Sequence, residues 1–209
     1  MIKIDNLSIK YEDKVIYDKF SCEIKKGELA VICGESGKGK TTLLNAIGML
    51  EKNYTGTISI NGLENCKFDS KKGRNLLRNN IGFLFQNYGL MDNKTVFQNL
   101  ELGLYFKKIT KKEKIKMMKE VLKPIGLIDK LNTKVYKLSG GEQQRIALAR
   151  LILKQCDIIL ADEPTGSLDA KNKDIVMQSL SNLKTSGKTV IVVTHDTELM
   201  EMADKCIRI

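Results

Sequence analysis

A glycine-rich loop between a buried strand and a helix constrains the fold of this chain more than any other segment. The loop fits the pattern GxxxxGK[ST] in full, after the apolar run 29–33 and before a helical pattern that starts at residue 42. In that context the backbone N–H groups and the positive end of the helix dipole face phosphate. We therefore predict that a nucleotide contacts Gly34, Glu35, Ser36, Gly37, Lys38, Gly39, Lys40, Thr41 and Thr42. Lys40 would reach the β- and γ-phosphates, and the Thr41 hydroxyl would ligate Mg²⁺.

Size and composition indicate a soluble globular protein with one domain, or with one domain and an appended lobe. The chain has 209 residues, of which 42% are hydrophobic, and no apolar run approaches the roughly 20 residues that span a bilayer. Residues 1–5 alternate like a strand and contain no signal-peptide core. The net charge is +10, but the lysines are spread along the chain, which favours a solvated helix face or a surface near anionic lipid over a nucleic-acid partner. We expect any membrane role to depend on another polypeptide.

The order of apolar segments predicts an α/β fold. Short alternating segments within residues 2–24 indicate strands at 2–4, 7–9, 15–16 and 20–24. The apolar runs 29–33, 81–85, 158–161 and 190–194, with helical patterns at 141–153 and 170–183, indicate a parallel sheet covered on both faces. Between residues 87 and 137 apolar side chains recur at helical spacing, as at Ile115, Met118, Leu122 and Ile125. We interpret this region as a helical lobe inserted into the core.

Two carboxylates follow the apolar strand at 158–161. Ligands of open α/β sheets lie outside the carboxyl ends of the strands, beside the phosphate loop. Asp162 is then placed to hold Mg²⁺, and Glu163 to polarise an attacking water as general base. The alternative, a polar strand exit without chemistry, becomes less favoured once a complete phosphate loop is present.

Three further side chains are candidates by position. His195, the only histidine, ends the strand at 190–194 and could hydrogen-bond the γ-phosphate or orient the catalytic water. Gln86 ends the strand at 81–85, where an amide could reach both the metal ion and the water. Tyr11 precedes a turn and could stack on adenine, a contact worth about 1–3 kcal/mol, although its position alone favours ordinary surface packing.

The run LSGGEQQR at 138–145 is a second phosphate-facing element. It places a hydroxyl and two glycines ahead of a helical pattern, far from the loop at 34–41. Either both elements fold onto one nucleotide, or two copies of the chain share them.

These motifs, in this order, resemble ABC-type ATPases over nearly the whole chain. The resemblance implies a P-loop NTPase with a RecA-like, mostly parallel core at 1–86 and 141–209. It also implies an N-terminal antiparallel β subdomain and a helical subdomain at 87–140. Two domains would pack head to tail, so that Ser139, Gly140, Gly141 and Glu142 contact ATP held by the partner's phosphate loop. Asp169 would lie across that interface, and ATP and Mg²⁺ would be the cofactors.

Within that family the runs 85–90 and 161–169 are similar to macrolide-efflux, lipoprotein-release, cell-division and, above all, bacteriocin-export ATPases. Ser167 stands where that group often has Asn, and the chain ends at Ile209, so we expect no regulatory C-terminal domain. The resemblance implies an ATP-hydrolysing homodimer at the cytoplasmic face of the membrane. It would power a separate permease that exports a peptide or amphiphilic substrate.

Two other functions are alternatives. The first is mechanotransmission, in which the ATPase regulates an envelope protein and nothing crosses the membrane; the ATP site would be the same. The second is a DNA-repair or ribosome-acting ABC ATPase, which is disfavoured because the chain shows neither a long coiled coil nor a second cassette.

Overall fold

The computed structural model describes residues 1–12, 14–166 and 168–209; Ser167 therefore lies outside the described residues. A five-stranded parallel sheet forms the centre, in the order β6-β7-β8-β3-β9. Its strands are β3 (Leu29–Cys33), β6 (Ile81–Leu84), β7 (Ile158–Asp162), β8 (Thr189–Val193) and β9 (Lys205–Arg208). All residues of β3 and β8 are buried, as expected of strands covered on both faces. The predicted parallel core is confirmed.

The strand register brings the polar residues that follow three strands to one edge. Val193 pairs with Asp162 on one side and with Ile32 on the other. The phosphate loop starts two residues after Ile32, and His195 lies two residues after Val193. The carboxyl edge of the sheet therefore gathers residues that are far apart in the sequence.

A second, antiparallel sheet forms the N-terminal part, in the order β2-β1-β4-β5. It consists of β1 (Ile2–Tyr11), β2 (Lys14–Ile24), β4 (Thr55–Ile60) and β5 (Leu63–Glu64). The four short strands predicted within 2–24 are in fact two long strands whose pairing shifts register several times. Asn6 and Lys19, both with φ of 50°, interrupt the alternation, which is why the sequence suggested breaks.

Most helices pack against the sheets, and those within residues 87–137 pack with one another and with the helix that follows. The helices are α1 (Lys40–Ile47), α2 (Lys71–Asn79), α3 (Val96–Gly103), α4 (Lys111–Leu122), α5 (Gly140–Lys154), α6 (Ala170–Thr185) and α7 (Thr197–Glu201). Residues 87–137 hold two helices, α3 and α4, and two 3₁₀ turns, Ile128–Lys130 and Val135–Lys137. The sequence did not predict β5, α2, α7 or β9. Among the described residues, no helix is long and apolar enough to cross a membrane.

Helix α5 joins the helical lobe to the core. On one face Ile146, Ala149 and Leu153 pack with apolar residues of α3 and α4. On another, Leu148 and Leu151 pack with the sheet cluster. The helix that follows the run at 138–145 is thus anchored to both parts of the molecule.

Candidate functional site

The phosphate loop is shaped by glycines in left-handed backbone conformations. Gly37 and Gly39 have φ of 78° and 95°. A Cβ at Gly39 would lie 2.3 Å from Ile16 Cγ2, and the Tyr17 hydroxyl donates a 3.0 Å hydrogen bond to the Gly39 carbonyl. The loop therefore rests on β2 at a point where only glycine fits.

Lys40 lies inside the loop. Its side chain is buried, and its ammonium donates to the carbonyls of Gly34 at 3.0 Å and Glu35 at 2.8 Å. The outer residues of the loop, 35–38, are exposed, and Thr42 is half-buried. The loop therefore surrounds a buried positive charge with exposed residues.

Thr41 and Asp162 meet at the carboxyl edge. The Thr41 hydroxyl donates to Asp162 Oδ1 at 3.1 Å. Burial raises the pKa of the Asp162 carboxyl, and the Thr41 hydrogen bond and the charge of Lys40 only partly oppose that rise. Hydroxyl and carboxylate oxygens are ligands that suit Mg²⁺, whose remaining positions are usually filled by phosphate and water. The pair fits the predicted cation.

Glu163 and His195 are brought together as the sequence suggested. Nε2 of His195 lies 3.5 Å from Oε1 of Glu163. Glu163 has φ of 45°, and its N–H donates to the Val193 carbonyl at 2.8 Å. A non-glycine residue in this region costs about 1–3 kcal/mol and occurs mainly at functional sites. The strained backbone directs the Glu163 carboxylate toward His195 beyond the sheet edge.

The run at 138–145 forms the N-terminal start of α5. Ser139 caps the helix, accepting from the Glu142 N–H at 3.2 Å while Glu142 accepts from the Ser139 N–H at 2.8 Å. A Cβ on Gly141 would lie 2.5 Å from Nδ2 of Asn172, and Asp169, which caps α6, accepts from the Asn172 N–H at 2.8 Å. Gly140 is exposed. Within the described chain no hydrogen bond or ion pair joins residues 139–142 to residues 34–42.

Gln86 and Tyr11 lie at the margin of the site. Gln86 is exposed, two residues beyond the end of β6. The Tyr11 hydroxyl is hydrogen-bonded to Glu51 and near Thr42, and the Glu51 contact is the main cause of the raised pKa of Tyr11. Tyr11 is therefore held beside α1, at the end of the phosphate loop.

Comparison with known proteins decides the family. The profile described as "ABC transporter" matches residues 17–166. This chain belongs to the ABC transporter family. It is an ABC ATPase domain, and its sheet architecture is that of solved ABC cassettes.

Similar proteins include the uncharacterized ABC transporter ATP-binding protein YvrO of Bacillus subtilis (strain 168), 37% identical over 99% of this chain and 92% of its own length. The macrolide export ATP-binding/permease protein MacB of Campylobacter fetus is 37% identical over 100% of this chain. This chain spans only 33% of that MacB. Among solved structures, the dimeric ATP-binding cassette MJ0796 in a post-hydrolysis state with ADP and Pi has a TM-score of 0.91 and 37% identity. That match covers 100% of this chain and 94% of the cassette.

The ABC fold also brings two contacts to the site that sequence reasoning missed. Gln144 is buried, and its Nε2 donates to the Pro164 carbonyl at 2.7 Å. The Thr165 hydroxyl donates to Asp196 Oδ2 at 2.9 Å. Both contacts hold the segment after Glu163. Gln144 lies in the run at 138–145, but the sequence does not show that its side chain points toward Pro164.

Asp196 connects that segment to α6. Lys173 lies 3.0 Å from Asp196 and 2.7 Å from Glu198. Burial would raise the pKa of Asp196, but the hydrogen bonds from Lys173 and Thr165 outweigh burial and lower it. The residue after His195 therefore remains an anion tied to two elements of the ABC domain.

Proposed function

We propose that this chain is the ATP-hydrolysing subunit of an ABC exporter and works as a head-to-tail dimer beside a separate permease. One observation carries this proposal. Lys40, the Thr41–Asp162 pair and the Glu163–His195 pair converge on one edge of the parallel sheet. A phosphate cradle, a cation site and a base with an orienting partner are the parts that phosphoryl transfer to water requires.

The proposed roles follow from these positions. The phosphate-loop residues hold ATP, with Lys40 on the β- and γ-phosphates. Thr41, Asp162 and Gln86 hold Mg²⁺, which when bound would neutralise phosphate charge. Glu163 takes a proton from the attacking water, and the nearby His195 orients that water and contacts the γ-phosphate.

Tyr11 stacks on the adenine. Its contact with Glu51 and its nearness to Thr42 support this role, because they keep the ring next to the helix that follows the phosphate loop.

The position of residues 139–142 supports the shared site. They begin a 15-residue helix, so the positive end of its dipole is available to phosphate, and Ser139 and Gly140 are exposed. They make no polar contact with their own phosphate loop within the described chain. The MJ0796 cassette is a dimer, which supports the same assembly here. Asp169, beside Asn172 and Gly141, would lie across the interface.

The permease partner and the export direction are proposed from the MacB relatives. Those proteins combine an ATP-binding and a permease part and are named for macrolide export. We propose that the chain is held at the cytoplasmic face of the membrane by such a permease and exports a peptide or amphiphilic substrate. The lobe at 87–140 would move as a unit against the core at 1–86 and 141–209 and would, with Gln86, receive the permease.

Mixing two inactive variants tests the shared site. Lys40→Ala should disable a protomer's own phosphate loop. Ser139→Arg should disable the residues that the protomer contributes to its partner's ATP site. Each variant alone should hydrolyse little ATP, whereas a mixture should regain activity because the mixed dimer contains one intact site. A mixture no more active than the sum of its parts would refute the shared site.

Reconstitution with the permease separates export from mechanotransmission. ATP hydrolysis accompanied by substrate accumulation in inverted vesicles supports export. Hydrolysis that changes an external domain of the permease, with no substrate crossing, would replace export by mechanotransmission.

A further inference from the structure

Gln144 is a buried amide that touches the loop of the catalytic glutamate. It lies in the second turn of α5 and is 2% exposed. Its Nε2 donates a 2.7 Å hydrogen bond to the carbonyl of Pro164, the residue after Glu163. This short bond links the helix that begins with Ser139 to the segment that orients Glu163 in the same chain.

The backbone around Glu163 needs such support. Glu163 has φ of 45°, a conformation that persists only where its surroundings enforce it. On one side its N–H donates to Val193, and on the other its carbonyl accepts from Gly166 at 3.1 Å. Pro164 has no N–H to donate, so its carbonyl is the one backbone group through which a neighbour can hold this residue. Gln144 binds that carbonyl.

We propose that Gln144 is a positioning residue that holds Glu163 in line for hydrolysis in its own protomer. The inference rests on the proposed function, because it assigns Glu163 as the base. It adds a link between the two ATP sites of the dimer. In each protomer, α5 contributes Ser139 and Gly141 to the ATP site of the partner and, through Gln144, orients Glu163 in the protomer's own ATP site. Closure of the dimer around one ATP is therefore transmitted to the other site.

The Gln144 amide is only partly satisfied where it lies. Oε1 of Gln144 is buried and has no hydrogen-bond partner among the described residues, and the same is true of Nε of the adjacent Arg145. A buried polar atom left unpaired costs free energy, so the amide carries a cost at Oε1 together with its bond to the buried Pro164 carbonyl. What the amide supplies is a directed bond to Pro164.

The first test separates binding from turnover. Gln144→Met keeps the length and burial of the side chain and removes its donor. Gln178→Met makes the same change at an exposed position of α6 and serves as the matched control. Gln144→Met should lower kcat by roughly 10- to 100-fold, the cost of a small misplacement of a catalytic group, and leave the ATP dissociation constant near that of the parent chain.

Two results would overturn the assignment. One is an unchanged kcat. The other is a parallel fall of kcat, ATP affinity and melting temperature, which would make Gln144 a general structural residue. Gln178→Met should behave as the unmodified chain in all three measurements.

The second test asks which protomer Gln144 serves. Two copies of the chain are joined in one polypeptide, and the first copy carries Lys40→Ala. One working site then remains. It consists of the phosphate loop and Glu163 of the second copy, together with Ser139 of the first. Gln144→Met in the second copy should lower kcat, whereas Gln144→Met in the first copy should not. The reverse pattern would show that Gln144 acts through the lent residues and would overturn the proposal.

Failure of the proposed assembly can be recognised separately. In the same joined chain, Ser139→Arg in the first copy should abolish the remaining activity. If activity survives, the shared site is wrong. A lower kcat at unchanged ATP affinity in the Gln144→Met homodimer would still assign Gln144 to Glu163.

Discussion

The two edges of the parallel sheet treat polar groups differently. At the amino edge polar side chains are closed into pairs. Asp204 accepts from the Leu29 N–H at 2.9 Å and from Lys184 at 2.6 Å. The buried Thr189 hydroxyl accepts from the Gly27 N–H at 3.0 Å. These bonds fasten the loops to the starts of the strands and involve none of the candidate site residues.

At the carboxyl edge, beside paired groups such as Asp196, lie groups with spare bonding capacity. Lys40 is bonded only to carbonyls of its own loop among the described residues. The pKa of Asp162 is raised by burial, and Glu163 has a strained backbone. Oδ1 of Asn172, next to Gly141, is buried and has no partner in the described part of the chain.

The difference shows how one sheet serves two purposes. Pairs at the amino edge lower the free energy of the folded state, while strain and unpaired groups at the carboxyl edge raise it. Substitutions at the carboxyl edge should therefore change turnover or ligand binding. Substitutions at the amino edge should cause small changes in stability without loss of turnover.

The largest effect is expected at Glu163. Glu163→Gln keeps size and backbone conformation and removes the base, so ATP hydrolysis should fall by roughly 10²–10⁴-fold. ATP binding and melting temperature should remain near those of the parent chain. Phosphate release measures the fall in hydrolysis, and thermal unfolding of the same preparation measures the melting temperature.

Gln144→Met is the internal comparison for that variant. It leaves the carboxylate in place and should cost less. Hydrolysis in Glu163→Gln at the parental rate would remove the chemical role assigned to the carboxyl edge.

A smaller effect is expected in the phosphate loop. Gly39→Ala forces a Cβ to within 2.3 Å of Ile16 at a φ of 95°. Strain and overpacking should together destabilise the fold by about 1–3 kcal/mol and weaken ATP binding. Gly37→Ala is the matched control, because its φ is 78° but nothing lies within 4 Å of its Cβ. Equal losses in urea unfolding for the two variants would show that contact with β2 does not shape the loop.

The sequence predicted the carboxyl edge better than the parts that hold it in place. The phosphate loop, Asp162–Glu163 and His195 each follow an apolar run directly, and parallel strands bring such exits together. By contrast, Gln144–Pro164 joins residues 20 positions apart and Thr165–Asp196 residues 31 apart. No periodicity marks such pairs, because they depend on side-chain direction after folding.

Local chemistry explains the missed elements. Helix α2 is polar and contains Gly73, which disfavours a helix, yet the Ser70 side chain caps it by accepting from the Gly73 N–H at 3.0 Å. A Cβ at Gly73 would lie 2.0 Å from the Lys67 carbonyl, so the glycine permits this tight entry. Ser70 is a typical N-cap residue and indicates the start of a helix, but the glycine three residues later favours a loop in the sequence pattern.

The smallest effect is expected at the amino edge, in Asp204→Asn. Hydrogen bonds from Lys184 and the Leu29 N–H lower the pKa of Asp204 below its unfolded value. Its contribution is therefore complete above an unfolded pKa of about 3.9 and is lost as the pH falls through the folded value. Because both side chains are about a third exposed, the ion pair should contribute less than about 1 kcal/mol, with ATP hydrolysis unchanged.

Urea unfolding of the parent chain, Asp204→Asn, Lys184→Met and the double variant measures this coupling. The coupling should be constant from pH 7 to about pH 5 and shrink below about pH 4. A coupling that grows on acidification would mean that Asp204 is protonated more readily in the folded chain than in the unfolded one. The amino edge would then carry the same kind of strained carboxyl as Asp162, and the contrast between the two edges would not hold.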